Sequence, residues 1–206
     1  MDAARLPVVT ILAAVLALPA PALAKHKHKR HRHAAAPPAL AAPNPPAAIG
    51  ACPDADLAPA PDDLDRVQAA TLCLVNQERA KVGLGALADQ PQLDRAAAEH
   101  VGDMLARDFF DHVSPDGRTP LDRVAADGYL AGARSYIVGE NLALATGDAS
   151  PARMVAAWMG SAGHRANILR REFRDSGIAV AASVPPSDRD GLPGGLYAQE
   201  FGVRSP

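Results

Sequence analysis

Trp158-Met159-Gly160-Ser161-Ala162-Gly163-His164-Arg165-Ala166-Asn167-Ile168-Leu169 is the stretch that decides the reading of the fold. It opens on the apolar end of a helix-forming run. Ser150-Pro151 supplies a cap residue and then proline at the first helical position. Met154, Val155, Trp158 and Met159 give that run its apolar residues, and Trp158 and Met159 read as core. Gly160 and Gly163 interrupt the pattern and leave its continuation open. If the helix continues, Ser161 and His164 lie one turn apart on one side. Downstream the period changes. Gly177 to Ser183 and Leu196 to Val203 read as strands, joined by a Pro- and Gly-rich loop from Val184 to Gly195.

Upstream the pattern is helical. Leu64, Val67, Thr71, Leu72, Leu74, Val75 and Val82 give one mostly apolar face over about Asp62 to Val82, with Gly83 as its stop. A second helix follows Asp89, a good N-cap. Leu93, Ala96, Ala97, Val101, Met104 and Leu105 form its buried face. A third starts with Thr119 as cap and Pro120 at the first helical position, and stops at Gly128. Helices first and a hairpin last define an α+β domain. About 140 residues are enough for one core. All eight aromatic residues fall within them.

Several ordered blocks carry a family resemblance. They are Leu74-Val75-Asn76-Gln77-Glu78-Arg79 with Gly83-Leu84, then Ala97-Ala98-Glu99-His100 with Asp103-Met104, and Phe109-Phe110-Asp111-His112-Val113-Ser114-Pro115-Asp116-Gly117. Gly139-Glu140-Asn141, the Trp158 stretch and Tyr197-Ala198-Gln199-Glu200-Phe201-Gly202 complete the set. From about Leu64 to Val203 the chain resembles the bacterial branch of the CAP (SCP-like) superfamily. The resemblance implies an α-β-α sandwich, about four helices around a small antiparallel sheet, with a third strand before Glu140.

Read alone, His112 at the mouth of a turn is a structural or surface histidine. The resemblance instead puts His112 and Glu140 in one central cleft, where imidazole and carboxylate suit a divalent ion such as Zn or an acid-base pair. Eukaryotic members add a second Glu and a second His, and the matching positions here are Ser161 and Leu196. His164 is the candidate substitute, so His112, Glu140 and His164 form a candidate His₂Glu metal site. Ser161, Asn141 and Gln199 stand behind it. The alternative is that Glu140 and His164 satisfy buried backbone groups. Of Gln199 and Glu200, one faces the cleft; which one stays open. Asn76, Arg79 and Asn167 read as loop clamps, and His100 as a surface contact. Ser161 with His164 lacks a nucleophile elbow and a third member for a serine hydrolase.

The N-terminus reads as a leader. Arg5, the apolar run from Pro7 to Leu18 and Ala22-Leu23-Ala24 match a signal peptide over residues 1–24, implying a secreted protein, periplasmic or extracellular. Lys25 to His33 then holds four of the seven histidines and five positive charges, and cannot build a core. Residues 34–61 are an Ala/Pro-rich, semi-rigid linker, and 62–206 the domain. The basic arm reads as a solvated, disordered head without a specific partner; the alternatives are adhesion to an anionic envelope polymer or membrane surface, and capture of metal by its imidazoles. Export and the lack of interleaved aromatics set nucleic acid aside. Function reads first as an extracellular binding module whose cleft holds a divalent metal or an apolar or lipid ligand. The rivals are a metal-assisted hydrolase of peptide or cell-wall material, and a structural or interaction domain at the envelope. In an oxidising compartment Cys52 and Cys73 pair. A thiol assay on the denatured, unreduced mature protein is expected to find no free thiol; a full count of two would reject the pairing.

Overall fold

The computed structural model describes residues 9–16, 40–48 and 50–206. The expected cleavage site at Ala22-Leu23-Ala24 and the basic arm lie outside the described residues. The described elements run β1 (Val9–Leu16), α1 (Leu64–Lys81), β2 (Ala88–Asp89), α2 (Pro91–Arg107), α3 (Pro120–Ala126), β3 (Ser135–Thr146), α4 (Pro151–Gly160), α5 (Ala162–Ile168), β4 (Asp175–Ala181) and β5 (Gly194–Ser205). The sheet order is β1-β3-β5-β4-β2. All pairs are antiparallel except β2 with β4, so the sheet is mixed rather than purely antiparallel. Among the described residues no helix is long and apolar enough to cross a membrane.

Helices cover both faces of this sheet, which is an α-β-α sandwich. Successive strand residues point to opposite faces. Ala143, Ala145, Tyr197, Phe201 and Val203 face one way and pack with Val67 and Val75 of α1 and Met154, Val155 and Trp158 of α4. Leu142, Leu144, Leu196 and Ala198 face the other way and meet Ala97, Val101 and Met104 of α2. Trp158 is fully buried, and its indole N–H donates to the Leu142 carbonyl at 3.1 Å.

Local chemistry explains the helix ends. Thr119 and Asp122 form a reciprocal capping box at α3. Gly83 takes φ 72°, the left-handed turn that ends α1. Gly160 does end α4, and Ser161, in extended backbone, separates α4 from α5. Asp89 is not the cap of α2: it lies in β2, and Gln90 and Pro91 start the helix.

The linker differs from a free spacer where it is described. Arg174 Nε donates to the Ala41 and Ala42 carbonyls at 2.9 and 2.8 Å. Asn44 Nδ2 donates to the Ala86 and Arg174 carbonyls, both at 2.8 Å. Leu40 and Leu57 pack on the core. An Ala/Pro chain builds no core of its own, but its carbonyls and few aliphatic side chains find partners on the domain. The Cys52–Cys73 disulfide then joins this segment to α1.

Gly177 of β4 sets the closest approach between sheet and α2. A Cβ there collides with the backbone of Leu93 and Asp94. Helix backbone cannot yield as a side-chain tip does. Gly177→Ala is expected to lower stability by about 1–3 kcal/mol in urea denaturation, the usual cost of overpacking. An unchanged midpoint would show that α2 gives way.

Candidate functional site

Glu140 of β3 and Glu200 of β5 are direct cross-strand partners. Both side chains project toward α2 and α3, and both are fully buried. Like charges opposed across a pair are unfavourable, and more so away from water. The pair responds by dividing its charge. Burial pushes the Glu140 carboxyl up, but the hydrogen bond to His112 and the Arg123 charge hold it below the ordinary range. Burial and the facing Glu140 charge drive Glu200 well above it, with Arg123 opposing only in part. The two facing carboxyls are thus pushed apart, Glu140 toward the carboxylate and Glu200 toward the protonated acid.

Three further elements converge on Glu140. Arg123 of α3 donates from Nη2 to Glu140 Oε2 at 2.7 Å and to the His112 carbonyl at 3.1 Å. Its Nε lies 3.9 Å from Glu200 Oε1. His112, on the loop between α2 and α3, meets Glu140 Oε1 through Nδ1 at 2.5 Å. His100 of α2 places Nε2 at 2.9 Å from the Asp111 carbonyl and 3.9 Å from Glu140 Oε2. Burial lowers the His100 pKa to about 4, with Glu140 opposing this. Neutral His100 therefore donates to the Asp111 carbonyl and pins the loop one residue before His112.

Chemically this is a carboxylate-histidine dyad. Glu140 accepts, so His112 Nδ1–H donates, and in the neutral ring Nε2 becomes the acceptor. Nε2 is buried and has no hydrogen-bond partner among the described residues. Val113 beside it is 44% exposed. Ser114 and Arg118 close the turn beyond, backbone to backbone at 2.9 Å.

His164 belongs to a different group. Its Nδ1 is 2.7 Å from Ser161 Oγ, even though the helix breaks at Ser161. Asn141 Nδ2 donates to the His164 carbonyl at 3.3 Å, and Asn167 Nδ2 donates to Asn141 Oδ1 at 2.9 Å. Gln199, the cross-strand partner of Asn141, donates to Ser176 Oγ at 3.0 Å. Asn141 follows Glu140 directly, so its side chain leaves the opposite face of the strand. The structure thus brings His112 and Glu140 together, and holds His164, Ser161, Asn141 and Gln199 apart from them.

The residues do not fit the expected metal. Both oxygens of Glu140 are engaged, one by a guanidinium that carries a permanent positive charge beside any cation placed there. Among the described residues no group of three His, Cys, Asp or Glu side chains is placed to hold an ion. A hollow of about 460 Å³, lined by Asp65, Leu72, Asn76, Asp89 and Asp94 among others, lies elsewhere and contains none of the dyad.

Three members of the cluster escape a reading from sequence. His100, expected at the surface, is fully buried. The signal was present: His100 continues the series 93, 96, 97, 101, 104 that forms the inward face of α2. Glu200 rather than Gln199 faces the dyad, and only the register decides between them. Arg123 carried no signal, because a single arginine on a short helix usually points to solvent.

Comparison with known proteins follows the same outline. The sequence model of the cysteine-rich secretory protein family (CAP) matches residues 72–186. An uncharacterized protein of Bacillus subtilis, YkwD, is 33% identical over 143 residues, 69% of this chain and 49% of its own length. The chain thus spans about half of that curated relative. The crystal structure of an extracellular protein of Bacillus anthracis containing an SCP domain aligns with TM-score 0.52 and 27% identity, over 69% of this chain and 43% of that one. An outer surface protein of Borrelia burgdorferi aligns with TM-score 0.51 over 65% of this chain and 90% of that one; at 20% identity it bears on fold alone.

The divided carboxyl pair has a pH signature. The raised Glu200 stabilises the fold fully below its unfolded-state pKa, and this contribution is lost as pH rises toward its raised folded value. Glu200→Gln keeps the shape and removes the titration. As pH rises from the ordinary carboxyl range, wild-type denaturation midpoints are expected to fall relative to the variant. Parallel curves would move the proton off Glu200.

Proposed function

The chain belongs to the cysteine-rich secretory protein (CAP) family, and we propose that it acts outside the cytoplasm as a binding module centred on the His112 loop. The export features of the N-terminus, the Cys52–Cys73 disulfide and the extracellular or outer-surface descriptions of its structural neighbours support that location. One observation carries the binding reading: Glu140 holds His112 through Nδ1, and Nε2, the acceptor of a neutral ring, is buried without a hydrogen-bond partner among the described residues. A buried acceptor without a partner costs about 1–3 kcal/mol, and a ligand O–H or N–H offsets it. Exposed Val113 offers that ligand an apolar flank. The ligand is then amphipathic, with a donor group for Nε2 and a carbon surface for the loop. The arm at residues 25–33 adds electrostatic attachment to an anionic envelope polymer or membrane surface.

The same dyad supports one second reading. A His held by a carboxylate through Nδ1 takes a proton at Nε2, so His112 serves as general base to a bound water or hydroxyl. No step through a metal enters this reading.

The exported protein is incubated with purified cell-wall polymer and, separately, with phosphatidylcholine vesicles. Retention on one of them is expected to fall about tenfold in His112→Ala, the loss of one net hydrogen bond, with circular dichroism unchanged. Deleting residues 25–33 is expected to remove only the salt-sensitive part of retention. Release of soluble fragments that depends on His112 would establish hydrolysis instead. Retention indifferent to His112 would reject both readings.

A further inference from the structure

The outer edge of the sheet is occupied in the full chain by the leader. β1 lies antiparallel along β3, in register from Val9 with Ala145 to Leu16 with Val138. α4 and α5 stand alongside it. The domain's own strands end at β3, whose other side pairs with β5 without a break from Ser135 to Thr146. Removal of the leader therefore strips a long, regular edge of the strand that covers it.

That edge lacks the usual protection. In an antiparallel pair, alternate residues present both N–H and C=O to the neighbouring strand. Natural edges are blunted with lysine, proline, bulges or short length. Val138-Gly139-Glu140-Asn141-Leu142-Ala143-Leu144-Ala145 contains no Lys, Arg or Pro. Its one charge, Glu140, turns inward to His112 and Arg123. The stretch is also bulge-free.

We propose that the outer edge of β3, from Val138 to Ala145, is a strand-addition site that, after leader removal, takes an extended, uncharged aliphatic peptide segment of another protein. The leader's Val-Thr-Ile-Leu-Ala-Ala-Val-Leu defines the chemistry that the edge accepts. Main-chain hydrogen bonds supply affinity, and alternate side chains supply selectivity. α4 and α5 both contact the single strand, β1, that lies on this edge. A second copy pairing β3 with β3 brings two α4–α5 layers against each other, so a lone peptide is the better occupant. The proposal is independent of the His112 reading, which concerns the far face of the sheet.

Two measurements test it. In the full chain, Ile11→Cys with Ala143→Cys joins register partners and is expected to cross-link under mild oxidation. Ile11→Cys with Leu144→Cys, one residue out of register, is expected not to. Absence of the first cross-link, or equal yields from both, would overturn the proposal; this arm reads the full chain, whatever the folding of a shortened one. The chain beginning at Lys25, its fold checked by circular dichroism, is then titrated with a dye-labelled peptide of the sequence of residues 8–17 flanked by lysines. Saturable binding is expected, at least about tenfold weaker for a peptide N-methylated at alternate residues, and absent for the full chain. No binding, equal binding of the N-methylated peptide, or a dimer that the peptide does not dissociate would each overturn it.

Discussion

One buried negative charge organises this domain. Glu140 sits opposite Glu200, both fully buried, and the guanidinium of Arg123 faces both. Everything nearby adjusts to that constraint. Glu200 is pushed toward its protonated form, His112 turns Nδ1 inward, and neutral His100 secures the loop. The five residues come from α2, the following loop, α3, β3 and β5, so one electrostatic solution ties one helical layer to the centre of the sheet. Removing one partner of such a buried pair typically costs about 3–5 kcal/mol, because the other charge stays buried and unpaired. The same arrangement that holds the layer also fixes the tautomer of His112, so the chemistry offered at the loop follows from the packing beneath it.

The other layer is held differently. Arg79 of α1 is buried and donates to the carbonyls of Gly85, Ile168, Arg170 and Phe173. Burial lowers its pKa to about 10, and it still remains a cation at neutral pH. Asn76 exchanges two hydrogen bonds with the backbone of Leu87. These side chains bind main chain rather than carboxylates. They gather loops that have no regular partner and lock α5 and the approach to β4 onto α1. The two faces of the sheet thus use opposite devices, a shared charge on one side and carbonyl capture on the other.

Local signals were legible wherever a residue's role depends on its neighbours in sequence. Thr119-Pro120, Ser150-Pro151 and Gly83 mark helix ends through capping and backbone preference, and all three mark real boundaries. The pairing of Cys52 with Cys73 followed from the export that the N-terminal sequence implied. β3 was much less visible. It is twelve residues long, but it is covered on both faces for most of its length and carries Gly139-Glu140-Asn141 at its centre, so it shows no polar alternation. The candidate site was half legible. His112 and Glu140 meet as the resemblance implied, whereas His164 does not join them, because one residue of strand separates the side chains at 140 and 141 onto opposite faces. That parity is a property of register, and register is decided by contacts far apart in the chain.

The docked linker and the disulfide together determine how the molecule carries load. In a protein held by its N-terminal arm, a pull passes along residues 40–48, where Arg174 and Asn44 hold the chain through a few hydrogen bonds. Those bonds open one after another and let the segment peel. The peeling halts at Cys52, because the covalent link to Cys73 passes the force directly into the middle of α1. Tension then acts across a packed helix instead of unzipping the sheet, and the Glu140 cluster on the far face is left out of the load path.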